Sequence, residues 1–253
     1  MTTYYGVMGV MIVVAVIVFI ALQYITAPYG MAFSRKWGPS MPNKLGWVLM
    51  EVPVIIVSLL IWLTSPRAGD VAPAVMMSLM MLHYVQRTFV FPFLMRGKSR
   101  ISLLVVLMGM AFNSVNAYLI AGWLFRVAPE GLYTASWLTS PLFILGTVIF
   151  FVGMFINLQS DYIVRHLRKP GDTKHYIPRG GLFRYVTSAN YFGELTEWVG
   201  FAILTWSMAG LTFVIWTFAN LAPRAKSLYR RYCDEFGDEY RKLGRKYIIP
   251  FIY

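Results

Sequence analysis

Charge is scarce in this 253-residue chain, and acid is scarcer. Only 13% of residues are charged, with 11 Asp and Glu against 23 Lys and Arg. A soluble domain carries about 25% charged residues, so this shortage excludes an ordinary water-soluble globule. A hydrophobic content of 58% likewise excludes a disordered chain. A single cysteine, Cys233, excludes an internal disulfide and a thiolate-rich metal site. The three histidines, His83, His166 and His175, are not spaced as H-x-x-x-H or H-E-x-x-H, so no zinc or di-iron site and no metal cofactor is expected. No G-x-G-x-x-G follows a predicted strand, which excludes a Rossmann domain. Internal repeats and low-complexity tracts are absent as well.

What the chain does have is long apolar runs and a mean hydropathy of +0.58. A helix needs about 20 mostly apolar residues to cross a bilayer. Seven candidates meet or approach that length: Val7–Ile25, Leu45–Leu63, Val71–Met95, Ile101–Phe125, Trp137–Leu158, Tyr191–Ser207, and a seventh from Gly210 to about Leu228. Seven spans place 20 of the 23 Lys and Arg on one side of the membrane. Arg67 and Arg126 fall on the other side and Arg87 within a span. The net charge of +12 is thereby explained by the positive-inside rule, and no nucleic acid is expected as a partner. The fold expected is an all-α integral membrane protein of seven transmembrane helices, N-terminus outside and C-terminus cytosolic. The first run is not a signal peptide: it has no basic leader, its apolar stretch is too long, and no A-x-A site follows. The chain reads as one domain over 1–253, with segments 159–190 and 224–253 on the cytosolic side.

An ionised side chain at the bilayer centre costs roughly 2.5–3.5 kcal/mol on the insertion scale, so polar residues inside spans mark the working interior. Glu51 shares a helix face with Trp47 and Val54. It is either an acid near a helix N-terminus or a buried, protonated hydrogen-bond donor. Tyr84 and Arg87 lie three apart, and Arg87 is too far from the loop to reach it by snorkelling, so it faces an anion or a polar cavity. Asn190, Glu194 and Glu197 form one stripe. A capping residue followed by first-turn acids accounts for the first two but not for Glu197, for which charge balance suggests Arg87 or Arg224 as partner. Asn157 and Asp161 share a face at the end of the fifth span. Arg165, Arg168 and Lys169 form either a lipid-headgroup belt or a phosphate-binding cluster.

At these segments the sequence resembles the steroid 5-alpha-reductases (3-oxo-5-alpha-steroid 4-dehydrogenases). The matching stretches are GWVLMEVP at 46–53, LHYVQRTFVF at 82–91 and INLQSDYIVRHLRKPGD at 156–172. They continue with IPRGGLFRYVTSANYFGELTEWVGFAILTWS at 177–207 and RKYIIPFIY at 245–253. The order and gaps are similar throughout, and the likeness is strongest to vertebrate type 2 members. The resemblance implies an NADPH-dependent reductase of the delta-4 double bond of 3-oxo steroids, with the substrate entering from membrane lipid. It implies Glu51 and Tyr84 as the pair that binds the steroid C3 carbonyl. It implies Asn157, Asp161, Arg168, Asn190, Glu194, Arg224 and Tyr232 at the cofactor, with Lys98 and Trp47, and Arg87 and Glu197 as support. The membrane would be the endoplasmic reticulum in a eukaryote and the plasma membrane in a bacterium.

The sequence departs from the type 2 pattern at Met50, where Gln stands beside the Glu, at Met108 in place of Arg, and at Leu228 in place of His. His175 replaces a Tyr, and Tyr240-Arg241 replaces Tyr-Pro. Other readings of the same polar spans are a reductase of another lipid enone or enoyl thioester, a membrane methyltransferase of the isoprenylcysteine type, and a non-enzymatic sterol transporter. An Arg cluster has less purpose toward S-adenosylmethionine, which carries no phosphate.

Overall fold

The structure of the protein, a computed structural model, describes residues 1–26, 35–96, 98–169, 172 and 174–253. Pro170 and Gly171 of the LRKPG motif, and much of the loop after the first apolar run, lie outside the described residues.

The fold is helical, and its long helices fall where the apolar runs do. Helix α1 (Thr2–Tyr24) carries no charge and buries Tyr4, Met8, Met11 and Ala15, one stripe at helical spacing. That stripe packs on α8 (Met208–Phe236). Trp216 of α8 donates its indole N–H to the Met11 carbonyl at 2.7 Å, and the Tyr4 hydroxyl donates to the Leu119 carbonyl at 2.6 Å. Polar tips thus find acceptors while the rings fill apolar space.

Helix α2 (Asn43–Leu63) and helix α5 (Leu103–Gly122) start side by side. Each follows one strand of a two-stranded antiparallel ribbon, β1 (Ser40–Pro42) with β2 (Arg100–Ser102), in which Met41 pairs with Ile101. The ribbon fixes the two helix starts together, and the helices then pack along their length. In sequence α3 (Val71–Val85) lies between them, and it continues through a π-helical turn, Gln86–Val90, into the short α4 (Phe91–Leu94). Such π turns recur at functional sites, and this one buries Arg87 and Thr88.

Helix α6 (Pro141–His166) starts at a Ser140 cap, whose hydroxyl accepts from the Phe143 N–H at 3.2 Å. It runs eight residues past the expected end of the apolar run, because Asn157, Ser160 and Asp161 on its inner face are buried by protein. Its partner is α7 (Ala189–Thr205), and the two backbones approach closely. Glycines make it so: Gly146 and Gly153 on α6 meet Gly193 and Gly200 on α7, each pair seven residues apart. A Cβ at Gly153 would lie 2.6 Å from the Glu197 Cα, so only hydrogen fits. This is the small-residue contact that membrane helices use to bring backbones together. Two residues, Trp206 in a left-handed conformation and the capping Ser207, turn the chain from α7 into α8.

Four helical stretches, Thr2–Tyr24, Asn43–Leu63, Leu103–Val127 and Pro141–His166, are long and apolar enough to cross a membrane. Of the other long helices, α3 has 15 residues and α7 has 17, and α8 ends in a run rich in charged residues. The short α9 (Asp238–Arg241) and the C-terminal segment fold back on residues 177–188. There Val186 bridges to Lys246, Ser188 N–H donates to the Tyr247 carbonyl at 3.1 Å, and the Tyr240 hydroxyl donates to Thr187 Oγ1 at 2.8 Å.

Candidate active site

Helices α2, α3, α5, α6 and α7 turn polar side chains toward one another inside an otherwise apolar bundle. Arg87 is the hub. The π turn seats it with its guanidinium 4.8 Å from the Trp47 ring and 4.2 Å from the Phe91 ring. Its Nη1 lies 3.4 Å from Asp161 Oδ2 and its Nη2 3.9 Å from Glu194 Oε2. Asp161 Oδ1 accepts from the Asn190 side-chain amide at 3.2 Å, and the Asn157 amide donates to the Asn190 carbonyl at 2.9 Å. The glycine contact between α6 and α7 is what brings these four side chains within reach.

One helical turn deeper, His83 Nδ1 lies 2.8 Å from Glu197 Oε1. The partner that charge balance suggested for Glu197, Arg87 or Arg224, is therefore replaced by His83. Glu197 is fully enclosed, and its Oε2 has no hydrogen-bond partner among the described residues. Trp198 closes this level, with its ring centroid 4.6 Å from His83 and 5.8 Å from Tyr84.

Glu51 and Tyr84 are both buried and lie within electrostatic reach of each other. The Glu51 carboxyl accepts from the Asn113 side-chain amide at 3.0 Å, and the same nitrogen donates to the Met50 carbonyl at 2.7 Å. Pro53, two residues on, has no N–H for the Leu49 carbonyl, so the helix ladder of α2 is already open at this turn. Four carboxyl groups, those of Glu51, Asp161, Glu194 and Glu197, surround Arg87 within electrostatic range. Arg87 and, at Asp161, Arg165 are the arginines that act on this group, so the carboxyls outnumber them. Isolated buried carboxylates are too costly to persist, so this count favours a neutral Glu51, the one without a cation in contact.

The remaining residues expected at a cofactor lie around this core. Tyr232 is buried beside Tyr240 and Phe236, at ring distances of 5.1 and 5.8 Å. Desolvation by burial pushes its hydroxyl up to about 12. Arg224 Nη1 is 3.3 Å from Asn220 Oδ1 on its own helix, Arg168 is half-buried with its carbonyl accepting from Arg96, and Lys98 is exposed. Residues that sequence reasoning passed over are Asn113, Asn116 and Arg245. Arg245 is 6% exposed. Its Nη2 donates to the Pro178 carbonyl at 2.9 Å, while Nε and Nη1 are buried without partners among the described residues. Burial holds its pKa below the usual guanidinium value. A buried cation beside the Tyr240 ring, in the aromatic cluster of α8 and α9, suits an anionic, ring-bearing ligand.

The family model described as 3-oxo-5-alpha-steroid 4-dehydrogenase matches residues 99–253. A mouse protein named 3-oxo-5-alpha-steroid 4-dehydrogenase 1 is 41% identical over 241 residues, covering 94% of this chain and 92% of its own length. The human protein of that name is 41% identical over 215 residues, covering 84% of this chain and 81% of its own. A protein of Arabidopsis thaliana named Steroid 5-alpha-reductase DET2 is 34% identical over 240 residues, 92% of this chain and 90% of its own.

Proposed function

The chain belongs to the steroid 5-alpha-reductase family, whose members are 3-oxo-5-alpha-steroid 4-dehydrogenases, and from that premise we propose an NADPH-dependent reduction of the delta-4 double bond at the Glu51–Tyr84 pair. The observation that carries the proposal is the placement of that pair. Both side chains are buried, next to an Arg-centred network with more carboxyls than arginines, which supports a neutral Glu51.

The residues proposed to hold NADPH are Asn157, Asp161, Asn190 and Glu194, with Trp47, Lys98, Arg168, Arg224 and Tyr232. Arg245 joins them as a buried guanidinium with one backbone acceptor, the Pro178 carbonyl. When bound, NADPH supplies hydride to C5 of the enone. The protein's own part is electrostatic. The Tyr84 hydroxyl and the protonated Glu51 both donate to the C3 oxygen, where negative charge develops as C5 is reduced. One such donor is worth about 10²–10³ in rate, because the surrounding bundle excludes water and the donors are already oriented. Arg87 and Glu197 hold α3, α6 and α7 in the arrangement that aims them. C4 takes up a proton as the enolate returns to the ketone.

The positive-inside count supports seven spans with the N-terminus outside. On that reading 159–190 and 224–253 cover the cofactor from the cytosol as parts of a single domain, and the steroid enters from lipid. The test is NADPH consumption by detergent-purified protein with and without testosterone or progesterone, with mass detection of product. A steroid-dependent gain of two hydrogens is expected. NADPH binding without steroid turnover would move the substrate to another lipid enone, and absence of both would overturn the proposal. Glu51→Gln should retain partial activity and Glu51→Ala lose most of it; wild-type rates in both would remove Glu51 from the reaction.

A further inference from the structure

We infer that Asn113 of α5 is a positioning residue that dictates which oxygen of Glu51 carries the proton, an inference that rests on Glu51 being the donor to the steroid carbonyl. An amide nitrogen has two hydrogens and no lone pair to offer. In Asn113 both are committed: one to the Met50 carbonyl at 2.7 Å and one to Glu51 Oε2 at 3.0 Å. Asn113 is 4% exposed, and water therefore has little access to replace it. Among the described residues it is the hydrogen-bond partner of the Glu51 carboxyl.

The consequence is a matter of counting protons. A neutral carboxyl has one O–H and one bare oxygen. The oxygen that faces an N–H donor has to be the bare one, since an O–H there would place hydrogen against hydrogen. The proton of Glu51 is thus confined to Oε1. The Met50 contact fixes Asn113 itself: a carbonyl of α2 and a side chain of α2 are both read by one nitrogen of α5, so the carboxyl plane cannot turn without breaking a buried bond. The ribbon that sets the starts of α2 and α5 together supplies the register for this contact. Asn113 touches no reacting atom in this scheme and acts wholly through Glu51.

The experiment compares steroid turnover and NADPH affinity in purified Asn113→Leu, which keeps bulk but has no donor, and in Asn113→Asp, which keeps shape but lacks N–H. Loss of an oriented donor is worth about 10²–10³ in rate, and a donor left in place but misaligned should lose a part of this, about tenfold to thirtyfold. We expect that loss in kcat for both variants, with the NADPH dissociation constant within about twofold of wild type, as for an interaction made only toward the transition state. In a Glu51→Ala background, Asn113→Leu should add no further loss, because the two act as a unit. Wild-type kcat in folded Asn113→Leu, or losses that multiply in the double variant, would overturn the inference. Should Asn113→Leu not fold, Asn113→Ala, which also has no donor, takes its place: the same loss of kcat supports the inference and an unchanged kcat overturns it. Full activity in Glu51→Ala would instead fell the assignment of Glu51, a result separable from full activity in Asn113→Leu alone.

Discussion

Replacing Gly153 with alanine tests whether the α6–α7 contact sets the active-site geometry. The added Cβ would lie 2.6 Å from the Glu197 Cα and 2.7 Å from the Gly193 carbonyl oxygen, both backbone atoms that cannot rotate away. Ordinary contacts begin near 3.4 Å and the Glu197 backbone nitrogen would be nearer still, so the helices have to part by roughly 1 Å or more at this level. Overpacking of this kind costs about 1–3 kcal/mol, with backbone clashes at the upper end. Alanine returns about 1 kcal/mol of helix propensity. The net loss is about 2 kcal/mol, which lowers the midpoint of thermal unfolding by about 4–8 °C in a chain of this size. The displacement falls on Glu197 itself, so the 2.8 Å contact with His83 opens and turnover falls with stability. Thermal unfolding and steroid turnover in one detergent provide the assay, with Gly9→Ala as control, since a Cβ there meets nothing within 4 Å. A midpoint for Gly153→Ala equal to or above that of Gly9→Ala would refute the reasoning.

Tyr84→Phe removes only a hydroxyl and should lower turnover about 10²–10³-fold with NADPH affinity kept; an unchanged kcat in stopped-flow turnover would exclude that hydroxyl. Arg87→Met leaves Asp161 buried without its cation, and the loss should approach 3–5 kcal/mol of stability, read as failure to yield a monodisperse protein in detergent. Arg168→Ala should weaken NADPH binding in a fluorescence titration, whereas an unchanged affinity would make that cluster a lipid-headgroup belt. The Asp172 carboxylate accepts from the Lys174 N–H at 2.8 Å and the Tyr176 hydroxyl at 2.7 Å. The Lys174 N–H, then Tyr176, hold its pKa below the ordinary value. Its anchoring is fully present above about pH 4, the unfolded value, and is lost as pH falls through the lower folded one. Hydrogen exchange at Lys174 to Tyr176, corrected for intrinsic rates, should rise only in that acid range, and Asp172→Asn should abolish the dependence.

The helices were legible because apolar length is written in consecutive residues. Their ends were less so. α6 outlasts its apolar run because Asn157 and Asp161 are buried by α7, and a neighbour in space leaves no trace in local hydropathy. The polar stripe of α7 was legible at helical spacing, but the partner of Glu197 was not. His83 is 114 residues away, and charge alone favours an arginine over a histidine. Asn113 was visible as an amide within a span and silent about its role, since any buried amide in a membrane helix needs a partner. Arg245 looked like one more basic residue of a basic tail until the chain's return onto residues 177–188 enclosed it. The π turn that buries Arg87 has no pattern of its own in the sequence.

The network around Arg87 also bears on how the chain is made. Asp161 follows Arg87 by 74 residues, and Glu197 follows His83 by 114. At about 5–20 residues per second, α3 emerges from the ribosome about 4–15 s before its first carboxylate partner exists. During that interval a guanidinium and an imidazole sit in a helix that lipid alone does not welcome. Its carboxylate partners come with α6 and α7, the pair joined at their glycines. The side chains proposed to serve the reaction are thus drawn from helices made far apart in time, and the charges of the third helix are balanced only when the last of them arrive.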